Sequence, residues 1–176
     1  MVTDGETAAG NVGLQPWAWP VGAIDGPGDF ASRLRQVLAA AAGQGWREIV
    51  FGDPDFADWP LGERAVAQAL QDWAASGRSL HIVAANFDVF QRHHARFVQW
   101  RRTWDHIVQC RVCTGAGMPV LPSALWTPQG VLHRVDPLRS RGVSSVEPAT
   151  RVALRHALDE CFQKGRPAFA ASVLGL

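Results

Sequence analysis

Acidic and amide side chains follow two short apolar runs of this chain, at the points where each run ends. Asp53 and Asp55 come after the first run, and Asn86 and Asp88 come after the second. If the runs are neighbouring parallel strands, all four side chains leave the sheet at its carboxyl edge, where open α/β folds bind ligands. Carboxylates that meet there could hold a magnesium ion or act as a general acid and base. Aspartates in such positions also cap loops and helix starts, which is the interpretation we favour.

The adjacent histidines His93 and His94 are the second candidate for chemistry. The segment from Phe90 to Trp104 has helical periodicity, and His93 falls within its apolar stripe, with His94 at the margin. A neutral histidine drawn into an apolar face could serve as a general base. A core histidine bonded to a carbonyl group has the same sequence pattern. We expect that structural role, with a buried ring, for His93.

Basic residues recur along the same predicted helix. Arg92, Arg96 and Arg102 lie opposite the apolar stripe, and Arg101 precedes the last of them. Together with the two histidines they could form a phosphate-binding patch. A solvated basic face gives the same pattern, and we favour it. Asn86, Arg92 and Arg96 are nevertheless the residues that we retain as candidates for ligand binding.

Cys110 and Cys113, with His106 before them, have the spacing of a fragment of a metal site. A zinc site needs further ligands, and in a strand residues three apart point to opposite faces. A redox pair needs the start of a helix, where a thiolate is stabilised. We therefore expect two buried, unpaired thiols, no bound metal and no cofactor.

The elements that must position these residues alternate between strands and helices. The runs from Glu48 to Phe51 and from Leu80 to Ala85 are apolar without clean alternation, as expected for strands covered on both faces. Between them, the segment from Glu63 to Ser76 has helical periodicity. A strand, a crossover helix and a second strand imply parallel pairing, so we expect the two strands to be adjacent. The segment from Ile107 to Cys113 is a predicted third strand.

The flanking segments complete the expected fold. Helices are predicted over 30–42 and 148–164, a hairpin over 123–135, and a last strand or extended tail over 169–174. The polar, arginine-rich segment 136–145 is treated as a loop. Residues 1–28 are assigned to an N-terminal tail and a first edge segment, and residues 29–176 to a single domain. The expected fold is α/β, with a mixed, mainly parallel sheet and helices on both faces.

The charge balance narrows the classes of partner. The 176 residues carry 17 Lys and Arg against 16 Asp and Glu, a formal net charge of +1, so nucleic acid is not an expected partner. No apolar run approaches the roughly 20 residues that span a bilayer, so no membrane association is expected. An odd number of cysteines and the absence of a signal-peptide pattern favour a cytoplasmic protein. The dominance of Arg over Lys is typical of a GC-rich bacterial genome.

Several short motifs resemble an uncharacterised bacterial family of phospholipase D-like domains. They are the segment from Arg47 to Asp55, the segment from Gly77 to Val83, His94, the pair Arg101 and Arg102, and Leu174-Gly-Leu176. The likeness covers residues 29–176. It implies a phospholipase D-like single domain, and it allows a homodimer, since single domains of this superfamily often pair.

Catalytic members of that superfamily carry His-x-Lys followed four residues later by Asp, and this chain departs from the motif. Its one lysine, Lys164, has Phe162 two positions before it, and in the nearest substitute, His133 to Asp136, Val135 stands where a lysine would be needed. The resemblance therefore does not extend to phosphohistidine chemistry.

Two functions follow as expectations. The first, which we favour, is a non-catalytic domain that binds a protein partner or an anionic small molecule. The alternative is a metal-dependent phosphodiesterase or other hydrolase that uses carboxylates at the carboxyl edge of the sheet. No catalytic residue is assigned, and the candidates for the alternative are Asp53, Asp55, Asp88, His93 and His94.

Overall fold

The computed structural model describes residues 16–75 and 77–171, which form a mixed α/β domain. The strands are β1 (Gly22–Asp25), β2 (Glu48–Asp53), β3 (Ser79–Ala84), β4 (Val108–Val112), β5 (Ser123–Trp126), β6 (Val131–Asp136), β7 (Arg141–Ser145) and β8 (Arg166–Pro167). They make one sheet in the order β1-β7-β6-β5-β2-β3-β4-β8. The helices are α1 (Pro27–Gln44), α2 (Arg64–Trp73), α3 (Asp88–His93), α4 (Ala95–Thr103) and α5 (Pro148–Lys164).

The centre of the sheet is the predicted strand, helix, strand unit. β2 and β3 pair in parallel, with Ile49 opposite Leu80 and Phe51 opposite Ile82, and α2 makes the crossover between them. β4 then adds in parallel to β3. The prediction that β2 and β3 are adjacent and parallel is confirmed.

The expectation of a mainly parallel sheet is wrong. Of the seven strand pairings among the described residues, β2 with β3 and β3 with β4 are parallel, and the other five are antiparallel. After β4 the chain crosses the sheet through residues 113–122 without a crossover helix, so β5 enters beside β2 in the opposite direction. The predicted hairpin of β5 and β6 is confirmed.

The segment 136–145, which we treated as a loop, contains a strand. β7 pairs with β6 on one side and with β1 on the other. This strand was not predicted because its sequence is polar. Ser144 is nevertheless fully buried, and its hydroxyl oxygen accepts a 2.8 Å hydrogen bond from the indole nitrogen of Trp19. β1 itself is the edge segment that the prolines before it indicated.

The first helix illustrates how sequence pattern and burial agree. α1 begins at Pro27, whose missing N–H costs nothing at a helix start, and ends at Gly45 in a left-handed conformation. The buried residues of this helix recur at helical spacing and form one apolar stripe: Phe30, Leu34, Val37, Leu38 and Ala41. Each large apolar side chain removed from water in this way contributes about 1.5–3 kcal/mol before entropic costs.

Two hydrophobic cores lie on the two faces of the sheet. Ile49 and Phe51 point into the larger core, which they share with side chains from α1, α2, α3 and α4. Val50, between them, points into the smaller core beneath α5, where it meets Leu154 and Leu158. Helices therefore cover both faces, as the non-alternating strands indicated.

The predicted single helix from Phe90 to Trp104 is two helices. His94 has φ −119° and ψ 40°, which ends α3 at His93 and lets α4 begin at Ala95. Neither Gly nor Pro marks this break. Because of this break, the side chains of α3 and α4 do not follow one continuous helical periodicity. The two histidines therefore do not take the positions that a single helix predicts.

The ends of the chain extend beyond the described region. The final pairing is the two-residue β8 against β4, earlier than the last strand predicted over 169–174. Residues 172–176, into which that prediction runs, and residues 1–15 of the predicted tail lie outside the described residues. Within the described part, none of the helices has both the length and the hydropathy needed to cross a membrane.

Candidate anion-binding surface

Asp53, the central carboxylate of the sequence hypothesis, belongs to a buried ion pair. It ends β2, and the antiparallel register places Ser123 of β5 beside it and Arg134 of β6 beside Ser123. Arg134 Nη2 lies 2.6 Å from Asp53 Oδ2, and the Ser123 hydroxyl donates to the same oxygen at 2.5 Å. The side chains of Asp53 and Arg134 are each only 2% exposed. The carboxylate is thus fully engaged inside the protein.

Arg134 connects this pair to the adjoining loops. Its Nη1 donates to a carboxylate oxygen of Asp58 and to the hydroxyl of Ser140, and its guanidinium lies 4.2 Å from the ring centroid of Phe30. Sequence reasoning did not identify this residue. The sequence does contain a signal for its burial. Arg134 lies two positions after Leu132 in a strand, so both side chains point to the same inward face.

The other polar residues at the carboxyl edge serve the local backbone. Asp55 accepts the N–H of Ala57 at 2.9 Å, and the side-chain oxygen of Asn86 accepts the N–H of Asp88 at 3.2 Å. Asp88 is the first residue of α3 and is exposed. At this position its negative charge interacts favourably with the positive end of the helix dipole. Among the residues that the structure describes, no three His, Cys, Asp or Glu side chains lie close enough to hold a metal ion.

The expected burial of His93 is wrong, and His94 is the buried member of the pair. His94 is 3% exposed, whereas the break between α3 and α4 turns His93 to solvent. The carbonyl oxygen of Phe56 accepts a hydrogen bond from the Nε2 of His94 at 2.8 Å. Burial lowers the pKa of His94 below its usual value. It is therefore a neutral structural histidine, the role that we expected for its neighbour.

Asp53 and His94 hold two sides of one unusual residue. Phe56 is fully buried and has φ 59°, a left-handed conformation that bulky residues rarely adopt. Its N–H donates to Asp53 at 2.8 Å, and its carbonyl accepts the His94 bond. Two candidates for acid–base chemistry are thus used to hold a loop conformation.

A basic surface remains where α2 begins and α3 passes into α4. We define it as the exposed side chains of Arg64, Arg92, His93 and Arg96. Arg96 Nη1 donates to the carbonyl of Gly62 at 3.0 Å, and a Cβ on Gly62 would come within 2.3 Å of the His93 carbonyl oxygen, so these segments are in contact.

The arginines of this basic surface form no ion pair with an acidic side chain among the described residues. Within the described residues, the arginines that form ion pairs are others, and Glu63 beside the surface is held by Arg35 at 2.7 Å. α2 and α4 both begin here without a side-chain cap hydrogen bond. The three arginines and the N-terminus of α2 therefore contribute positive potential, whereas the N-terminus of α4 is offset by the C-terminus of α3, which ends at His93.

Arg101 and Arg102 do not extend the basic surface as one patch. Arg102 is exposed, but Arg101 is buried at 4% exposure, with its guanidinium 4.7 Å from the ring centroid of Phe169. The predicted run of arginines is divided between two environments.

The cysteines have the environment of structural thiols. Cys110, Cys113 and Cys161 are buried and free. Cys110 faces the larger core and Cys113 the smaller one, as the alternation of a strand requires. Burial raises the pKa of Cys110 to about 12, which leaves almost no thiolate at neutral pH.

Comparison with known proteins identifies a shared fold. No protein-family model matches the chain, and no curated protein matches it. A solved structure of TrmBL2, described as an archaeal chromatin protein with a novel mode of DNA binding, superposes with a TM-score of 0.62 at 13% sequence identity. The match covers 88% of this chain and 57% of that chain, so this chain spans little more than half of its neighbour.

These findings correct two expectations. The resemblance to a bacterial phospholipase D-like family is contradicted, because no family model matches and a solved structure that shares this fold is that of an archaeal chromatin protein. The exclusion of nucleic acid as a partner is contradicted as well, since the neighbour is described as a DNA-binding protein. That exclusion was based on the net charge of the whole chain, which gives no information about where the charged residues lie on its surface. At this identity the similarity concerns the fold alone.

Proposed function

We propose that this chain is a non-catalytic domain that binds an anionic ligand, the phosphate backbone of a nucleic acid, at the basic surface. The observation that carries the proposal is that Arg96 bonds the carbonyl of Gly62, two residues before Arg64 begins α2, while Arg92 lies in the last turn of α3, beside the start of α4. Guanidinium groups and helix N-termini both favour phosphate oxygens. The shared fold with a DNA-binding chromatin protein adds support.

The absence of a catalytic role is proposed from what the candidate residues do. The hydrolase hypothesis needs carboxylates and a histidine that meet around a substrate or a metal ion. Asp53 is paired with Arg134 inside the protein, and His94 is bonded to the backbone of Phe56. His93 is exposed, but no three His, Cys, Asp or Glu side chains among the described residues lie close enough to hold a metal ion. Asp55 and Asn86 bond the N–H groups of nearby residues. No observation favours the metal-dependent hydrolase over the binding domain.

The test is the binding of a fluorescently labelled DNA duplex, followed by anisotropy at several salt concentrations. Three arginine contacts to phosphates predict a slope of log K against log salt of about −2.7, from about 0.9 per phosphate. Arg92→Gln and Arg96→Gln are each expected to weaken binding and to reduce the size of the slope by about 1. Different duplex sequences should bind alike, because phosphate contacts carry no base information.

Arg47→Gln is the matched control. Arg47 is also exposed, but it precedes β2, at the opposite edge of the parallel strands from the start of α3. Its replacement removes the same charge and should leave affinity and slope nearly unchanged. Equal losses from Arg47→Gln and from Arg96→Gln would mean that binding is general electrostatic attraction, and the proposed surface would be refuted.

A further inference from the structure

β1 is the end strand of the sheet, and its outer edge meets no other strand among residues 16–75 and 77–171. Its inner edge pairs with β7, where Ala23 lies opposite Val143. The peptide groups of successive residues in a strand point alternately to its two edges, so the outer edge carries N–H and C=O groups that β7 does not bond. Exposed groups of this kind can pair with a strand of another chain.

Two side chains of α1 bond the peptide groups at the outer edge of β1. The N–H of Asp25 donates to Asp29 Oδ2 at 3.0 Å, and Arg33 Nη2 donates to the carbonyl of Ala23 at 2.8 Å. Arg33 Nη1 donates to the carbonyl of Pro20, just before the strand, at 2.7 Å. Asp29 and Arg33 therefore satisfy three peptide groups along one edge.

Asp29 and Arg33 also hold each other in place. Arg33 Nε donates to Asp29 Oδ1 at 3.0 Å, so each nitrogen of the guanidinium has an acceptor and each oxygen of the carboxylate has a donor. The side chain of Arg33 is 16% exposed and that of Asp29 is 34% exposed, so both are partly withdrawn from water. A carboxylate beside a guanidinium offers an acceptor and a donor, the same two groups that a neighbouring strand would offer.

We propose that Asp29 and Arg33 form an edge cap, which prevents β1 from pairing with β1 of a second copy of the chain. In a two-fold antiparallel pairing, Ile24 would lie opposite its counterpart in the second copy. The Ala23 carbonyl and the Asp25 N–H of each copy would then form hydrogen bonds across the interface. The edge cap already bonds these two groups, so the capped arrangement and the paired arrangement exclude each other.

The opposite end of the sheet is protected in a different way. β8, the end strand there, is two residues long, and its second residue is Pro167, which has no N–H to donate. β1 is four residues long and contains no proline. Its outer edge therefore depends on α1 for protection.

The experiment is sedimentation velocity, over a range of concentrations, on the unaltered chain and on an uncapped variant that combines Asp29→Ala with Arg33→Met. The two changes remove one negative and one positive charge, so the net charge stays the same. The Ala23 carbonyl and the Asp25 N–H become free to pair. Self-association should become about 10- to 100-fold tighter, because several inter-strand hydrogen bonds of modest net value form together.

Glu63→Ala with Arg35→Met is the matched control. Arg35 also lies on α1 and forms an ion pair with Glu63 at 2.7 Å. Its removal has the same effect on charge but leaves the edge cap intact. Self-association of this control should equal that of the unaltered chain.

Ala23→Pro in the uncapped variant tests where the copies meet. The carbonyl of Ala23 faces the outer edge, so its N–H faces the same way, and proline removes that donor without removing a bond to β7. Proline on an edge also obstructs an added strand. The tighter self-association should therefore be lost.

Two outcomes would overturn the proposal. Equal self-association of the uncapped variant and the matched control would show that the edge cap does not prevent pairing. Tighter association that persists with Ala23→Pro would place the contact on another surface. Circular dichroism checks that each variant is folded. If the uncapped variant does not fold, Asp29→Ala against Glu63→Ala gives the same comparison, with an expected tightening of about three-fold from the one freed N–H. These outcomes do not bear on DNA binding at the basic surface, which the Arg92 and Arg96 variants test separately.

Discussion

Arg134 shows how a single side chain can unite three strands and two loops. It bonds Asp53 of β2, Ser123 of β5 and Asp58 of the loop after β2, and it is almost fully buried. Whether a buried ion pair makes a protein more stable than apolar residues at the same positions depends on the site. Replacement of only one partner lowers stability strongly, because the other charge is left buried and unpaired. The pair therefore makes the fold sensitive to either residue.

Arg134→Leu is expected to lower the free energy of unfolding by about 3–5 kcal/mol, because Asp53 would stay buried without its counter-charge. Chemical denaturation measures the change. The double variant Asp53→Asn with Arg134→Leu should recover part of the loss, since no buried carboxylate remains. A loss below about 1 kcal/mol in the single variant would show that Asp53 reaches another partner or water.

Three histidines that are buried or half-buried predict how stability depends on pH. Burial lowers the pKa of His81, His94 and His133 below the ordinary value of about 6.5. Between the folded pKa and 6.5 the unfolded chain binds more protons, so the contribution of these groups is complete above about pH 6.5 and is lost as the pH falls. Unfolding free energies at pH 5, 6, 7 and 8 should therefore decrease on the acid side.

His94→Gln tests this assignment. Glutamine can donate to the Phe56 carbonyl but does not titrate, so the fall in stability between pH 7 and pH 5 should become shallower. The assignment fails if His94→Gln shows the same pH dependence as the unaltered protein.

At the scale of elements, the junction of α3 and α4 depends on a close backbone approach. A Cβ on Gly62 would lie 2.3 Å from the His93 carbonyl oxygen and 3.5 Å from His94 Nδ1. Gly62→Ala should therefore push α4 from the start of α2, lower stability by about 1–3 kcal/mol as overpacking does, and weaken DNA binding.

Gly28→Ala is the control for this element-scale prediction. Gly28 lies in the first turn of α1, and a Cβ there would meet nothing within 4 Å. Thermal unfolding and anisotropy should both stay near the values of the unaltered protein. Equal behaviour of the two variants would mean that the junction can shift without consequence.

The same junction explains which elements could be predicted from sequence. α1, β2, α2, β3 and α5 follow from periodicity and from Gly and Pro signals, since their burial depends on local pattern. The break at His94 does not, because bonds to Phe56, 38 positions away, hold it. β7 and the antiparallel pairing of β5 with β2 were not predicted, because strand order depends on long-range pairing. The ion pair of Asp53 and Arg134 joins residues 81 positions apart for the same reason.

At the scale of the whole molecule, one sheet lies between two hydrophobic cores of unequal size and contributes side chains to both. The larger core contains the buried indoles of Trp19, Trp46, Trp59, Trp73 and Trp100, while the smaller core is covered by α5. Each central strand contributes alternate residues to both cores, so loss of one core removes packing from the other. The domain should therefore unfold as a single cooperative unit.

Leu34→Ala in the larger core and Leu158→Ala in the smaller one test this coupling. Both leucines are fully buried, and each replacement should cost about 2–5 kcal/mol. Tryptophan fluorescence reports mainly on the larger core, and far-ultraviolet circular dichroism on all helices. If the sheet couples the cores, both probes should give one coincident transition in each variant, shifted to lower denaturant. An early loss of dichroism in Leu158→Ala, with fluorescence unchanged, would mean that α5 detaches independently and that the two faces are separate folding units.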